Sequence, residues 1–255
     1  MSDKHASRCL LAARCSLADS PACNRLCAAY IAVHGLAGAS GRVGAANVPD
    51  AYRLLTLATS PAREGQPDVY RSADKYAATF TRQFSGDDLR IKSLYLYSLA
   101  PGTGKTTTAA ALLNEYLIAH YIGSVKRGLT PLERPAYFLD VNEWQTDYNA
   151  FNRPRVPEDV AAPAAERYYA AQRISMNVPF LVADDIGVRD ASEAFRADLH
   201  TVINTRVASE LPTIYTSNIP LSEIGALFDR RLADRIRDLC AEITFKGESR
   251  RGMRT

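Results

Sequence analysis

No apolar run in this chain approaches the roughly 20 residues needed to cross a bilayer, and residues 1–14 carry charges where a secretion signal needs an apolar centre. Those absences point to a cytoplasmic protein with no membrane partner. Net charge is scarce too. Thirty-one Lys and Arg against 28 Asp and Glu leave +3, too small an excess to announce nucleic-acid binding, which depends on where basic side chains cluster. Paired C-x-x-C knuckles, internal repeats and low-complexity tracts are all missing. What remains is the balance of an ordinary globular chain, 47% hydrophobic and 23% charged over 255 residues. That length suits one full α/β domain with a small appendage.

Four of the five cysteines, Cys9, Cys15, Cys23 and Cys27, fall in the first thirty residues, and a glycine-rich stretch, Gly35–Gly44, follows them. The expected division is therefore an N-terminal cysteine-rich region with its linker, residues 1–46, and a main domain, residues 47–255. Four thiolates around one zinc ion (Zn2+) would hold so short a segment together, with His5 or His34 as substitute ligands. The alternative is four reduced cysteines in an alanine-rich region, since disulfides are disfavoured in a cytoplasmic protein. Cys240 reads as a small core residue.

Beyond residue 46 the pattern alternates. Helices are expected around Ala51–Ala58 and Ser72–Phe84, then a strand, Ser93–Ser98, and a helix, Thr106–Ile122. A strand at Ala136–Asp140 and a helix at Asn142–Phe151 follow, and a connection marked by Pro154, Pro157 and Pro163 leads to helix reaching Ser175. The wholly apolar run Val178–Ala183 suits a buried parallel strand. Phe195, Leu199, Val202, Ile203 and Val207 then keep one helix face apolar. Pro212–Ser217 reads as strand, Leu221–Leu239 as helix with a break near Asp229, and Ala241–Lys246 as the last strand. Strands alternating with crossover helices imply an α/β fold with a parallel sheet covered on both faces.

The chemistry is concentrated after the first strand. Pro101-Gly102-Thr103-Gly104-Lys105-Thr106 has the form of a phosphate loop, and Thr107–Leu113 continues it as helix. In such a loop backbone N–H groups wrap the phosphates of ATP, the lysine reaches the outer phosphates and the hydroxyl holds Mg2+. Gly102, Gly104, Lys105 and Thr106 fit those roles, with Pro101, Thr103 and Thr107 completing the cradle. The pattern asks for glycine at position 99, where this chain has Leu99. Magnesium also needs a carboxylate at the end of a neighbouring buried strand. Phe180-Leu181-Val182-Ala183-Asp184-Asp185 supplies one in Asp184, and Asp185 is placed to polarise an attacking water; the plain alternative is a pair of turn residues. Asn218, after the strand that ends Thr216-Ser217, can orient that water beside the γ-phosphate or simply turn the chain before Pro220. Trp144, Tyr148 and Phe151, with Arg153 and Arg155, mix aromatic and basic side chains as single-strand binders do, although aromatics at helical spacing more often mean core packing.

These pieces together resemble the bacterial and phage helicase loaders of the DnaC/DnaI type, AAA+ P-loop ATPases related to the transposition helper IstB. The resemblance covers about Asn47–Lys246. It rests on Asn47-Val48-Pro49-Asp50-Ala51-Tyr52-Arg53, on Ala183-Asp184-Asp185-Ile186-Gly187 as Walker B, on Pro212–Asn218 as sensor 1, and on Arg231-Leu232-Ala233-Asp234-Arg235 as an arginine-finger box. It implies that Lys105 and Thr106 bind phosphates and magnesium, that Asp184 holds the metal, and that Asn218 senses the γ-phosphate. It further implies that Arg231 or Arg235 reaches a neighbouring subunit of an ATP-bound homo-oligomer. A guanidinium inserted there would stabilise charge on the transferring phosphoryl group, the alternative being a solvated, salt-bridged helix. In the loaders an N-terminal region engages the hexameric replicative helicase and delivers it to single-stranded DNA, which makes Met1–Val33 the expected partner-binding module. Asp185 stands where many AAA+ enzymes carry glutamate, so slow hydrolysis is expected. With the chain ending at Thr255, no helical lid is expected. Two other functions share much of this pattern: a transposition helper, and an adaptor that binds ATP without hydrolysing it.

Overall fold

The computed structural model describes residues 5–85, 90–187, 191–226 and 228–248. The final seven residues, on which the expectation of a missing lid rests, lie outside the described residues. The chain forms two compact units, one made of Met1–Ile91 with Ala110–Phe138, the other of Lys92–Ala109 with Leu139–Thr255.

The second unit holds four whole strands and the end of a fifth, β2, of a five-stranded sheet in the order β2-β3-β4-β1-β5. The sheet's strands are β1 (Ser93–Tyr97), β2 (Ala136–Asp140), β3 (Phe180–Asp184), β4 (Thr213–Ser217) and β5 (Cys240–Thr244). β1 pairs in parallel with β4 on one side, Tyr97 opposite Ser217, and with β5 on the other, Tyr97 opposite Thr244. β4 pairs in parallel with β3, Ala183 opposite Tyr215. Every residue of β3 and β4 is buried, which is why their sequences are near-continuous apolar or hydroxyl runs and not alternations. The fold is thus the expected α/β parallel sheet flanked by helices.

The helices begin where capping residues place them. Asp140 accepts from the N–H groups of Asn142 and Glu143 at the start of α6 (Val141–Asn152), Ser192 from Phe195 at the start of α8 (Glu193–Ala208), and Asp229 from Leu232 at the start of α9 (Arg230–Leu239); each such cap is worth about 1 kcal/mol. The break expected near Asp229 is this cap, preceded by a 3-10 turn, Leu221–Ala226. α6 packs on α7 (Glu158–Asn177), α7 on α8 and α8 on α9. The apolar face of α8 is buried as expected, at Phe195, Leu199, Val202, Ile203 and Val207. Pro163 lies inside α7 instead of ahead of it. Its ring removes one helical N–H, and Pro163 and Asp159 are both exposed, where such a loss is least costly.

The aromatic run of α6 resolves in favour of core packing. Trp144 is 2% exposed, stacks on Tyr168 with centroids 4.8 Å apart, and its Nε1 donates to the Tyr168 carbonyl at 3.1 Å. Tyr148 and Phe151 join the same cluster with Phe195 and Tyr169, so Trp144 offers no face on which a base could stack.

The first unit contains the short helices α1 (Pro21–Arg25), α2 (Ala28–His34) and α3 (Gly41–Ala45), α4 (Pro67–Ala78), and the later part of α5 (Lys105–Lys126). Of the helix expected at Ala51–Ala58 only a 3-10 turn, Asp50–Tyr52, forms. The chain instead folds back here, its Tyr52 and Leu55 carbonyls both accepting from Asn114 Nδ2 at 2.8 and 2.7 Å. Asn47 adopts φ +54 and donates Nδ2 to the Phe138 carbonyl at 3.0 Å. The expected zinc site is not found: among the described residues no group of three or more His, Cys, Asp or Glu is placed to hold a metal ion. The residues nominated for it do structural work. Cys27 Sγ accepts from Tyr30 N–H at the start of α2, Cys23 is buried, and burial, chiefly, raises the Cys9 thiol above its usual range. His5 stacks on Tyr30, 4.6 Å between centroids, and buried His34 accepts the Leu10 N–H at Nε2, 3.0 Å. Among the described residues no helix is long and apolar enough to cross a membrane.

Candidate nucleotide site

Strands that run parallel deliver all their carboxyl ends to one edge of the sheet, and that edge is where a crevice can collect functional groups. β1, β3 and β4 here deliver the loop Ser98–Gly104, the pair Asp184-Asp185 and Asn218. All of these residues belong to the second compact unit.

The loop after β1 turns on two glycines, Gly102 at φ +72 and Gly104 at φ +105, conformations that strain any residue with a Cβ. Leu99 has no such φ and is 78% exposed. Leucine in place of the first glycine therefore leaves the turn undisturbed. α5 opens at Lys105, and Thr108 N–H donates to the Gly104 carbonyl at 2.9 Å. A helix beginning at such a loop offers the positive end of its dipole to an anion. Thr106 and Thr107 lie half-buried in its first turn, and Pro101 is exposed at the tip.

Lys105 is buried, and its Nζ donates to Asn218 Oδ1 at 2.6 Å, to the Ala100 carbonyl at 3.4 Å and to the Ser98 carbonyl at 3.5 Å. Asn218 is itself fixed from both flanks. Ser217 Oγ accepts from Ile219 N–H at 3.0 Å, and Tyr95 Oη donates to the Ile219 carbonyl at 2.7 Å. The P-loop lysine and the amide after β4 thus meet across 113 residues of sequence.

Asp184 sits buried at the end of β3. Thr106 Oγ1 donates to its Oδ2 at 3.1 Å, and Thr216 Oγ1 to its Oδ1 at 2.7 Å. Burial above all, helped by the charges of Asp140 and Asp185 and opposed by the two hydroxyls, pushes its carboxyl up to about 6. A carboxylate that is costly to ionise in a dry site gains most from a divalent cation beside it. Thr106 hydroxyl and Asp184 carboxylate are both hard oxygen donors, the set that magnesium prefers, so the residues present fit that ion.

Asp185 occupies the left-handed region, φ +59, tolerated by Asp better than by most residues. Its N–H donates to Thr216 Oγ1 at 2.8 Å, and its Oδ2 accepts from Asn142 Nδ2 at 3.0 Å. Thr216 therefore aligns both acidic residues at once. Sequence marks Thr216 only as part of the segment leading to Asn218 and Asn142 only as a helix position; the folded strands reveal their partners.

Arg231 and Arg235 lie on α9 and are hydrogen-bonded to none of these groups. Arg235 Nη1 donates to Asn204 Oδ1 at 3.4 Å. Arg231 is exposed and its guanidinium has no partner among the described residues.

Residues 161–255 match the family described as IstB-like ATP binding protein. The replicative helicase loader DnaC of Escherichia coli (strain K12) is 28% identical over 174 residues, 68% of this chain and 59% of that protein. The matched segment thus spans less than two thirds of that relative's length. Two solved structures share the fold: that of DnaI, at TM-score 0.53 and 22% identity over 80% of this chain and 94% of the other, and that of the DnaC helicase loader, at TM-score 0.52 and 19% identity over 78% and 100%. The chain's α/β sheet accordingly shares the fold of those two structures, and the chain is similar to the DnaC/DnaI loaders.

Proposed function

We propose that this chain is a cytoplasmic ATPase that places a ring-shaped replicative helicase on single-stranded DNA, with ATP controlling grip and release. The observation that carries the reading is the pair of contacts joining the P-loop to the two neighbouring strand ends, Lys105 to Asn218 and Thr106 to Asp184. Residues 101–107 would cradle the phosphates. Lys105 would exchange protein oxygens for phosphate oxygens, reporting occupancy to Asn218. Thr106 and Asp184 would hold Mg2+, which supplies charge compensation for the phosphates when bound. Asp185 is the base that would orient and polarise water, and its short side chain, already engaged by Asn142, favours slow turnover. Arg231 is the better candidate to reach a neighbouring copy, because Arg235 is engaged within its own chain. Residues 1–33 are the proposed helicase-binding module, within the N-terminal region and linker 1–46.

The test is ATP turnover and helicase loading for Lys105→Ala, Arg231→Ala and Arg235→Ala. Both activities should fall at least tenfold for the first two and little for the third. Loading unchanged in all three rejects the reading. The adaptor alternative draws on Asp185 alone now that Leu99 is seen to leave the loop intact; it predicts tight ATP binding with no phosphate release in the presence of helicase and DNA.

A further inference from the structure

α9 carries four arginines, and the structure divides them. Arg237 is spent inside the chain, its Nη2 on the Ser222 carbonyl at 2.7 Å, its Nε on the Leu221 carbonyl at 3.3 Å and its Nη1 on Asp234 at 2.8 Å. Arg235 is tied to Asn204. Arg230 and Arg231 are exposed and have no side-chain partner among the described residues.

The first residue before the helix, Asp229, bonds in two directions. Asp229 uses one carboxylate oxygen to cap α9, accepting Leu232 N–H at 3.0 Å. Its other oxygen meets His200 Nε2 on α8 at 2.5 Å. His200 and Asn204 are four residues apart and so share one face of α8, which places two polar contacts on α9, one at its cap and one at Arg235. Leu232, Ala233 and Ile236 are buried beneath them. His200 also lies against the Phe228 ring, 6.4 Å between centroids. Both partners of the His200–Asp229 bond are partly exposed, 35% and 55%, and surface pairs of this kind contribute little to stability. Their place in the fold is more telling than their strength: a guanidinium rides several ångströms off the helix axis, so a modest rotation of α9 would carry Arg231 away from a target where small misplacements are heavily penalised.

We propose that His200 is a positioning residue for the trans-acting arginine: its bond to Asp229 locks the N-terminus of α9 so that Arg231 projects toward the nucleotide of a second copy of this chain. The inference rests on the reading that α9 supplies an arginine to a neighbouring site.

Mixing experiments separate the two ideas. Lys105→Ala offers an intact α9 but no working site, and Arg231→Ala offers the converse, so an equimolar mixture regains turnover if the site is shared. Adding His200→Ala to the Lys105→Ala chain should lower the regained turnover at least tenfold. The same change in the Arg231→Ala chain should lower it less than twofold, and ATP affinity should be unchanged in both. His200→Gln, which can still donate to Asp229, should restore most of the loss. Asp229→Ser, which keeps the helix cap and loses the bond to His200, should behave like His200→Ala. A mixture that is inactive before His200 is touched overturns the shared-site reading itself. A mixture that is active but indifferent to which chain carries His200→Ala overturns the positioning role alone.

Discussion

The two compact units bury ionisable side chains for opposite purposes. In the sheet unit Asp184 is buried beside hydroxyls and other carboxylates, so its charge is expensive and its carboxyl is pushed up to about 6; it is the group proposed to meet a cation. In the first unit His34 is buried as a neutral acceptor for Leu10, and burial pulls its imidazole down to about 4; it is a group that must never be charged. His120 there is lowered in the same direction, by burial and then by Arg42, while its Nε2 accepts Leu132 N–H. A functional site tolerates an unfavourable ion because a ligand will later offset it. A scaffold selects the protonation state that satisfies its hydrogen bonds.

The contrast can be broken most sharply at Asp185. Asp185→Asn keeps the side-chain shape and a residue that accepts left-handed φ, and removes the charge alone. Turnover should fall about a hundredfold or more, the scale of general-base loss, while ATP affinity by titration calorimetry stays within about threefold. An equal loss of affinity would mean Asp185 binds nucleotide and does not act on water.

Asp184→Asn should split stability from function. Relieving a buried charge should add up to about 3 kcal/mol of nucleotide-free stability at neutral pH, read as a higher melting temperature, yet the further stabilisation by Mg2+ and ATP should disappear. The sign follows from linkage. The folded state holds the Asp184 proton more tightly than the unfolded chain, so its contribution is present at low pH and is lost as pH rises from about 4 to about 6.

The first unit should respond to acid in the opposite sense. Unfolded chains protonate His34 near its ordinary value and the folded unit resists until about 4, so its stability is full above about 6.5 and falls as pH drops to about 4, by about 2 kcal/mol. Hydrogen-exchange protection, corrected for the intrinsic rate at each pH, should therefore fall first at residues 5–34. Fluorescence of Trp144, the chain's single tryptophan and a member of the sheet unit, should hold steady over that range. His34→Gln, which keeps an acceptor for Leu10, should flatten the dependence; exchange that stays uniform across both units would erase the contrast.

The same division explains what could be read from sequence. β3 and the P-loop were legible because a run of five buried residues ending in carboxylates, and glycines at fixed offsets from a lysine, each follow from one local requirement. Asn142, Thr216 and the His200–Asp229 bond were not, because their roles exist only once parallel register or helix packing brings distant segments together. Arg206 is the clearest case. It lies wholly buried within α8, donating to Thr213 Oγ1 and to the Ser175, Val178 and Pro212 carbonyls at 2.8–2.9 Å, and so ties together the segments around the starts of β3 and β4. A lone arginine beside an apolar stripe carries no sign of that. The cysteines misled for the complementary reason: their clustering in sequence reflects a small segment whose thiols cap and fill, with no metal group among the described residues.

Calorimetric titration of MgATP into the wild-type chain and into Lys105→Ala tests the central claim most directly. The account predicts saturable binding by the wild type and at least a hundredfold weaker binding by the variant, with the nucleotide-free fold unchanged. Wild-type protein that binds neither ATP nor ADP in the presence of magnesium, or a variant that binds equally well, would contradict it.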